Sequence, residues 1–194
     1  EKQKSDFSVI SVWAYNNAGD WLWVDGICKR QDMAKNVDDL FRLAQRYRPQ
    51  QVGIEVSGQQ QGFVSWIQGE MLNRNIFFPL ASEGNDSKPG IRPNTNKLVR
   101  FNTVVPLFKA RKIFLPIEKK KSAELVEAMN ELELATPGGF KSKHDDFIDT
   151  ISMLASLHAW KPSEEAGLHQ NESSGMWEAD DEDQYNDRMS SYIV

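Results

Sequence analysis

Only one cysteine, Cys28, occurs in the 194 residues. That excludes an internal disulfide framework and a cysteine-built zinc cluster. The three histidines, His144, His158 and His169, are too far apart to suggest a zinc site. No apolar run approaches the roughly 20 residues a membrane helix needs, and the start has no signal-peptide pattern. A soluble protein of a reducing compartment is the expectation. The motif G-x-x-x-x-G-K-[ST] is missing, so no phosphate-cradling loop of the nucleotide-hydrolase type is present. G-x-S-x-G is missing too, and there is no internal repeat. Core-forming material is not scarce: 40% of the residues are hydrophobic and six are Trp, which excludes wholesale disorder.

The net charge of -5 hides a segregation. Residues 163–194 hold nine acids and one base, Arg188, leaving 22 bases and 19 acids in residues 1–162. The basic excess is itself concentrated. Lys88, Arg92, Lys97, Arg100, Lys109, Arg111, Lys112, Lys119, Lys120 and Lys121 fall in a stretch whose one acid is Glu118. An acidic tail on a body with a basic flank leaves a polyanionic partner open. The Lys119–Lys121 run also reads as a solvated helix start. We expect a body over residues 1–162 and a flexible tail over 163–194.

Val9 to Tyr15 and Trp21 to Ile27 read as strands joined by the turn cluster at residues 16–20. Val37, Leu40, Phe41, Ala44 and Tyr47 recur at helical spacing before Pro49. Residues 52–57 alternate as a short strand ended by Gly58, Phe63 to Asn73 reads as a helix, and Ile76 to Phe78 as a buried strand. A Ser/Gly/Asn/Pro-rich loop follows at residues 81–94. A helix containing Pro106 is expected over residues 97–112, a short strand or extended piece at residues 113–116, and helices over residues 123–134 and 144–160. An early antiparallel pair followed by alternating strands and helices indicates an α/β fold, a mixed sheet covered by helices.

Two acidic positions carry possible chemistry. Glu55 lies on the opposite strand face from Val52, Ile54 and Val56. Such a carboxylate is either an edge residue in water or a buried charge needing a cation. The second position is His144-Asp145-Asp146-Phe147-Ile148-Asp149. Acids at a helix start cap free N–H groups, yet three carboxylates in five residues exceed what capping needs. Asp145 and Asp149 share a helix face. If that face meets Glu55, hard oxygen ligands for Mg²⁺ assemble, and two such ions can hydrolyse a phosphodiester. His158 and Cys28 read as structural residues.

Ser5-Asp6-Phe7-Ser8-Val9-Ile10, Gly53-Ile54-Glu55, Asn96-Lys97-Leu98-Val99-Arg100 and Lys143-His144-Asp145-Asp146-Phe147-Ile148-Asp149 occur in the order seen in one family. Over residues 4–160 the chain resembles the nuclease domain of tailed-phage terminase large subunits. The resemblance implies a ribonuclease-H-like mixed sheet with helices on both faces. It also implies cleavage of concatemeric double-stranded DNA at an acidic cluster holding Mg²⁺ or Mn²⁺. Glu55 corresponds to the middle acid, and Asp145 or Asp146 to the last. Asp149 matches a commonly acidic follower that supports the ligands. The ten bases of the central stretch would grip the DNA backbone. An ATPase domain, a portal ring and a small terminase subunit are the implied partners, with no membrane, and the host cytoplasm during infection is the implied location.

The family's first catalytic Asp belongs to a strand preceding the segment that aligns with Ser5-Asp6, so either that strand is expected to be missing or Asp6 substitutes for it; without that carboxylate, cleavage by this chain is expected to be weak or absent. Two alternatives stand beside this reading. One is a non-catalytic module that binds DNA or a portal. The other is a junction resolvase or transposase relative.

Overall fold

The computed structural model describes residues 8–56, 61–136, 138–161 and 190–193. The readings made above for Ser5, Asp6, Phe7, Ser57, Gly58 and residues 162–189 lie outside the described residues.

Ser8–Tyr15 forms strand β1 and Trp21–Lys29 forms β2, an antiparallel pair whose register shifts between Val12 and Trp13. Successive side chains of a strand point to opposite faces, and β1 uses both. Val12 and Trp13 are each fully buried, in different core clusters. Val12 joins Ile27, Phe41, Ile67 and Met71. Trp13 joins Trp21, Trp23, Phe101, Leu125, Phe147 and Ile151. The sheet is therefore covered on both faces. Helices α1 (Met33–Tyr47) and α2 (Gln61–Arg74) supply one layer. Helices α3 (Lys97–Lys109), α4 (Ala123–Glu133) and α5 (Asp146–Met153) supply the other.

Two short strands, β3 (Gln51–Val52) and β4 (Ile113–Phe114), belong to the same sheet. A small hairpin of β5 (Ala135–Thr136) and β6 (Gly139–Phe140) stands apart from it. Strand β7 (Ser190–Ile193) completes the main sheet, whose order is β3-β7-β1-β2-β4. Strand β7 runs antiparallel to β1 and parallel to β3, and β4 runs parallel to β2. The fold is mixed α/β with a small mixed sheet. Residues 190–193 are thus sheet, although they fall in the segment read as a tail.

Helix starts follow from local chemistry. Asp32, Asn96 and Ser122 cap α1, α3 and α4 by accepting the N–H of Lys35, Val99 and Leu125. Helix α1 ends at Arg48, which adopts a left-handed conformation and bonds back to Ala44 at 2.9 Å.

Three expectations need correction. The strand read over residues 52–57 keeps ladder geometry only at Gln51–Val52, and Glu55 continues it as an isolated bridge to Ile91. Residues 76–78 are not a strand: Phe77 is 64% exposed, and the pairing partner of Val52 is Leu80. The last helix stops at Met153, followed by a 3-10 turn over Leu154–Ser156 and extended backbone at Leu157. There the His158 N–H donates to Gln51 Oε1 at 3.0 Å, drawing the chain towards β3 instead of onward as helix. Among the described residues no helix is long and apolar enough to cross a membrane.

Candidate functional site

Glu55 is held by backbone bonds on either side of it. The Ile91 N–H donates to the Ile54 carbonyl and the Val56 N–H donates to the Ile91 carbonyl, both at 2.8 Å. Gly90 allows this approach. Its φ is +106°, and a Cβ there would stand 2.7 Å from Val56 Cγ1. The loop at residues 81–94 thereby fixes where the Glu55 carboxylate sits.

The N-terminal ends of α3 and α5 face that carboxylate. Lys97 and Arg100 lie three apart, so they share one face of α3. Lys97 Nζ is 2.7 Å from Asp145 Oδ1 and 2.6 Å from Asp149 Oδ2. The Arg100 guanidinium spans two elements, 3.1 Å from Asp149 Oδ1 and 3.3 Å from Glu55 Oε2. The strand acid and the α5 acids, distant in sequence, therefore meet on one guanidinium that is only 18% exposed. Arg100 Nε is buried without a partner. The desolvation of the Lys97 ammonium is outweighed by its bonds to Asp145 and Asp149, which raise its pKa.

Asp145 and Asp146 part company here. Asp145 turns to Lys97. Asp146 is half-buried, and loss of water pushes its carboxyl up, with Lys97 opposing and Asp145 and Asp149 adding to the rise. Its charge is felt by Glu131 and Cys28 on the other side. Asp149 makes the link to Glu55.

The capping question has an unexpected answer. Asp145 occupies the N-cap position of α5 without a side-chain cap bond. Glu131 of α4 does the capping: its Oε2 accepts the Ile148 N–H at 2.9 Å, and the neighbouring Phe147 N–H also favours the charged carboxylate. Glu131 is 1% exposed and its Oε1 has no partner. Burial pushes this carboxyl up to about 7 despite the two N–H groups. The sequence reading missed it. The available signal was an acid in line with Leu125 and Ala128 on the apolar face of α4.

The ten central bases divide. Lys88, Arg92, Lys109, Arg111, Lys120 and Lys121 are exposed. Lys97 and Arg100 face the acids. Lys112 holds Asp20 and the Ala18 carbonyl, each at 2.8 Å. Lys119 donates to the Val24 carbonyl at 2.7 Å and lies over the Trp23 ring. These last two fasten the β1–β2 hairpin. A cleft of about 340 Å³ opens beside Arg100, lined among others by Arg92, Asn94, Thr95, Thr103, Ser152 and Ser156. Cys28 is buried and its thiol is pushed up to about 12, chiefly by desolvation, which disfavours the thiolate. His158 is exposed beside Glu83.

Hard carboxylate oxygens are the donors Mg²⁺ and Mn²⁺ take. Glu55, Asp145, Asp146 and Asp149 outnumber Lys97 and Arg100, leaving the group negative. Among the described residues, however, no three His, Cys, Asp or Glu side chains are grouped so that they could hold one ion. The donor set suits a divalent cation in chemistry and not in this arrangement, because two cationic side chains stand between the acids. No protein-family model matches this chain, and no curated protein matches it. Function has to be read from the site.

Proposed function

We propose that this chain is a metal-dependent DNA endonuclease domain of ribonuclease-H-like type, serving a phage packaging terminase that cuts concatemeric double-stranded DNA. The observation that carries the reading is the Glu55–Arg100–Asp149 bridge. It brings the carboxylate of the extended segment after β3 and a carboxylate of the first turn of α5 to one guanidinium. A sheet covered on both faces supports the fold reading. The cleft beside Arg100 and the exposed Arg92 offer phosphate contacts that position a duplex without reading its sequence. A bound Mg²⁺ or Mn²⁺ would supply an activated water and charge stabilisation at phosphorus. The side chains that would contribute to holding it are Glu55, Asp145, Asp146 and Asp149. An ATPase domain, a portal ring and a small terminase subunit are the partners this reading carries, in a host cytoplasm.

Thermal unfolding with and without Mn²⁺, beside plasmid nicking, tests it. An ion that binds only the folded chain stabilises it by RT ln(1 + [Mn²⁺]/Kd) and so raises Tm as its concentration rises past Kd. Glu55→Gln and Asp149→Asn should each remove that rise and any nicking. A wild-type Tm indifferent to millimolar Mn²⁺ would overturn the reading. The alternative, a non-catalytic binding module, is favoured by one observation: the acids are already neutralised in part by Lys97 and Arg100. DNA binding that survives those substitutions, with no nicking by any form, would establish it.

A further inference from the structure

The cleft of about 340 Å³ beside Arg100 has walls and lining of its own. We infer that it takes one unpaired nucleotide, held by its phosphate, so that a strand is gripped there singly and not as duplex. The inference rests on the nuclease reading for the source of that nucleotide and adds the form in which the strand is held.

One wall is the loop at residues 81–94, which is fixed from within. Asn85 is buried, and its amide donates to the carbonyls of Lys88 and Pro89 at 3.2 and 3.0 Å. The Arg92 N–H donates to the Glu83 carbonyl at 2.9 Å. Gly84 permits that approach, since a Cβ there would stand 2.6 Å from the Arg92 carbonyl oxygen. Another wall is the 3-10 turn at Leu154–Ser156, where α5 has ended and Ala155 and Ser156 line the cleft. With walls already held by hydrogen bonds, little ordering is needed when a ligand binds.

The lining divides into donors and acceptors. Arg100 turns both Nη groups to Glu55 and Asp149. Arg92 is exposed and makes no ion pair among the described residues, so it is the cation left to meet a ligand. Asn94 and Thr95 add an amide and a hydroxyl within the same four residues. The lining's one acid, Glu83, has its Oε2 3.8 Å from His158 Nε2. Thr103 and Ser152 offer oxygens instead. Their hydroxyl protons are committed to the Arg100 and Ile148 carbonyls at 2.7 and 2.8 Å, leaving lone pairs. A ligand that suits both sets has an anion at one end and hydroxyl or N–H donors on its body. That is a phosphate ester of a sugar, and a nucleotide is the member of the class that a nuclease meets. Ile91, Pro93 and Met153 give the sugar apolar surface, but no aromatic side chain lines the cleft, so no stacking platform identifies the base. The volume lies at the small end of ligand cavities, roughly 300–1,000 Å³. A duplex can touch the mouth of such a cleft, but a nucleotide enters it only when out of the stack.

The experiment follows the amide NMR signals of the full chain in buffer with EDTA, so that nothing is cut. The probes are deoxyadenosine monophosphate, deoxyadenosine, a single-stranded octanucleotide and its blunt duplex. The monophosphate should shift the signals of residues 92, 94, 95, 103 and 152–156, and deoxyadenosine should bind about tenfold more weakly. The octanucleotide should shift the same signals at lower concentration, while the blunt duplex leaves those of residues 152–156 in place. Arg92→Met should weaken binding of the monophosphate about tenfold. Ala155→Met, which fills the cleft and removes no charge, should weaken it too. Lys141→Met, an exposed base outside the cleft, should bind as wild type does. No shift with the monophosphate, or equal binding of monophosphate and deoxyadenosine, would overturn the inference and leave the nuclease reading standing. A blunt duplex that shifts residues 152–156 as the single strand does would overturn it as well. So would binding of the monophosphate with no oligonucleotide bound, which would make the cleft a site for free nucleotides. A Tm indifferent to Mn²⁺ beside intact octanucleotide binding would instead overturn the nuclease reading and leave the cleft's occupant as assigned.

Discussion

Glu131 has one carboxylate oxygen satisfied by the Ile148 amide, with the Phe147 amide nearby, and the other buried without a partner. The two amides favour its charged form, while desolvation and the nearby Asp146 and Glu127 oppose it, and the opposition prevails. A carboxyl at about 7 in the folded chain and at 4.5 ordinarily keeps, in the native state, a proton that the unfolded chain has released. Stability from this group is full below the ordinary value, declines as pH rises from there to about 7, and is then flat. The decline is of the order of 3 kcal/mol at one pKa unit per 1.36 kcal/mol. Glu131→Gln removes the titration. Its Tm should match wild type near pH 4.5 and exceed it at pH 8, and equal Tm differences at both values would refute the assignment. Glu131→Ala removes the acceptor from the Ile148 amide at the start of α5 and should destabilise at every pH, by about 1–3 kcal/mol in denaturant titration. Arg100 raises the parallel issue in a cation. Arg100→Met should release Glu55 from Asp149, seen by NMR as lost contacts between the segment carrying Glu55 and α5.

At the scale of elements, the site is the meeting of two helix starts. Asn96 begins α3 by accepting the Val99 N–H, and the next residue is Lys97. Asn96→Ala should cost about 1 kcal/mol, roughly 2–4 °C of Tm for a chain of this size. It should also loosen Lys97, raising exchange at the first amides of α3. A Tm unchanged within error would show that tertiary pairing, not the cap, sets this helix end. The helix faces were legible in the sequence because apolar spacing survives any arrangement: Val37, Leu40, Phe41 and Ala44 are buried as their period requires. So were the acids, as an excess over capping needs. Their partners were not, because ion pairs between α3 and α5 depend on how two helices cross, which no local pattern encodes. Lys97 and Arg100 accordingly read as part of a basic flank. The end of α5 was illegible for a similar reason. Residues 154–160 keep an apolar spacing, and the bond from His158 to Gln51 that ends the regular backbone is tertiary. Residues 76–78 look like a buried strand by composition, yet only Phe78 of them is buried.

The whole molecule depends on β7 for continuity of the sheet. In the order β3-β7-β1-β2-β4, β3 reaches the hairpin only through β7. Four residues, following the most acidic part of the chain, were too short to stand out as a strand. Removing them would leave β1 and β3 with open edges, a template for association with other chains. It would also free the segment that carries Glu55 on the side where β3 pairs with Tyr192 and Ile193. The nine acids of residues 163–194 all precede β7 and oppose the basic body in sign, so tail charge and tail strand can be separated. Truncation after Lys161 should lower Tm by roughly 5–10 °C, the loss of a few backbone hydrogen bonds at about 1 kcal/mol each, and should promote self-association. Replacing residues 164–187 by a neutral Gly/Ser linker of equal length keeps β7, so Tm should hold. On the proposed nuclease reading it also removes repulsion from DNA phosphates, so duplex binding should tighten at low salt and converge with wild type as salt screens the charge. Were the truncated chain as stable and as monomeric as the linker form, β7 would contribute nothing to the fold. Equal duplex affinities for linker form and wild type at low salt would remove the electrostatic role of the acids.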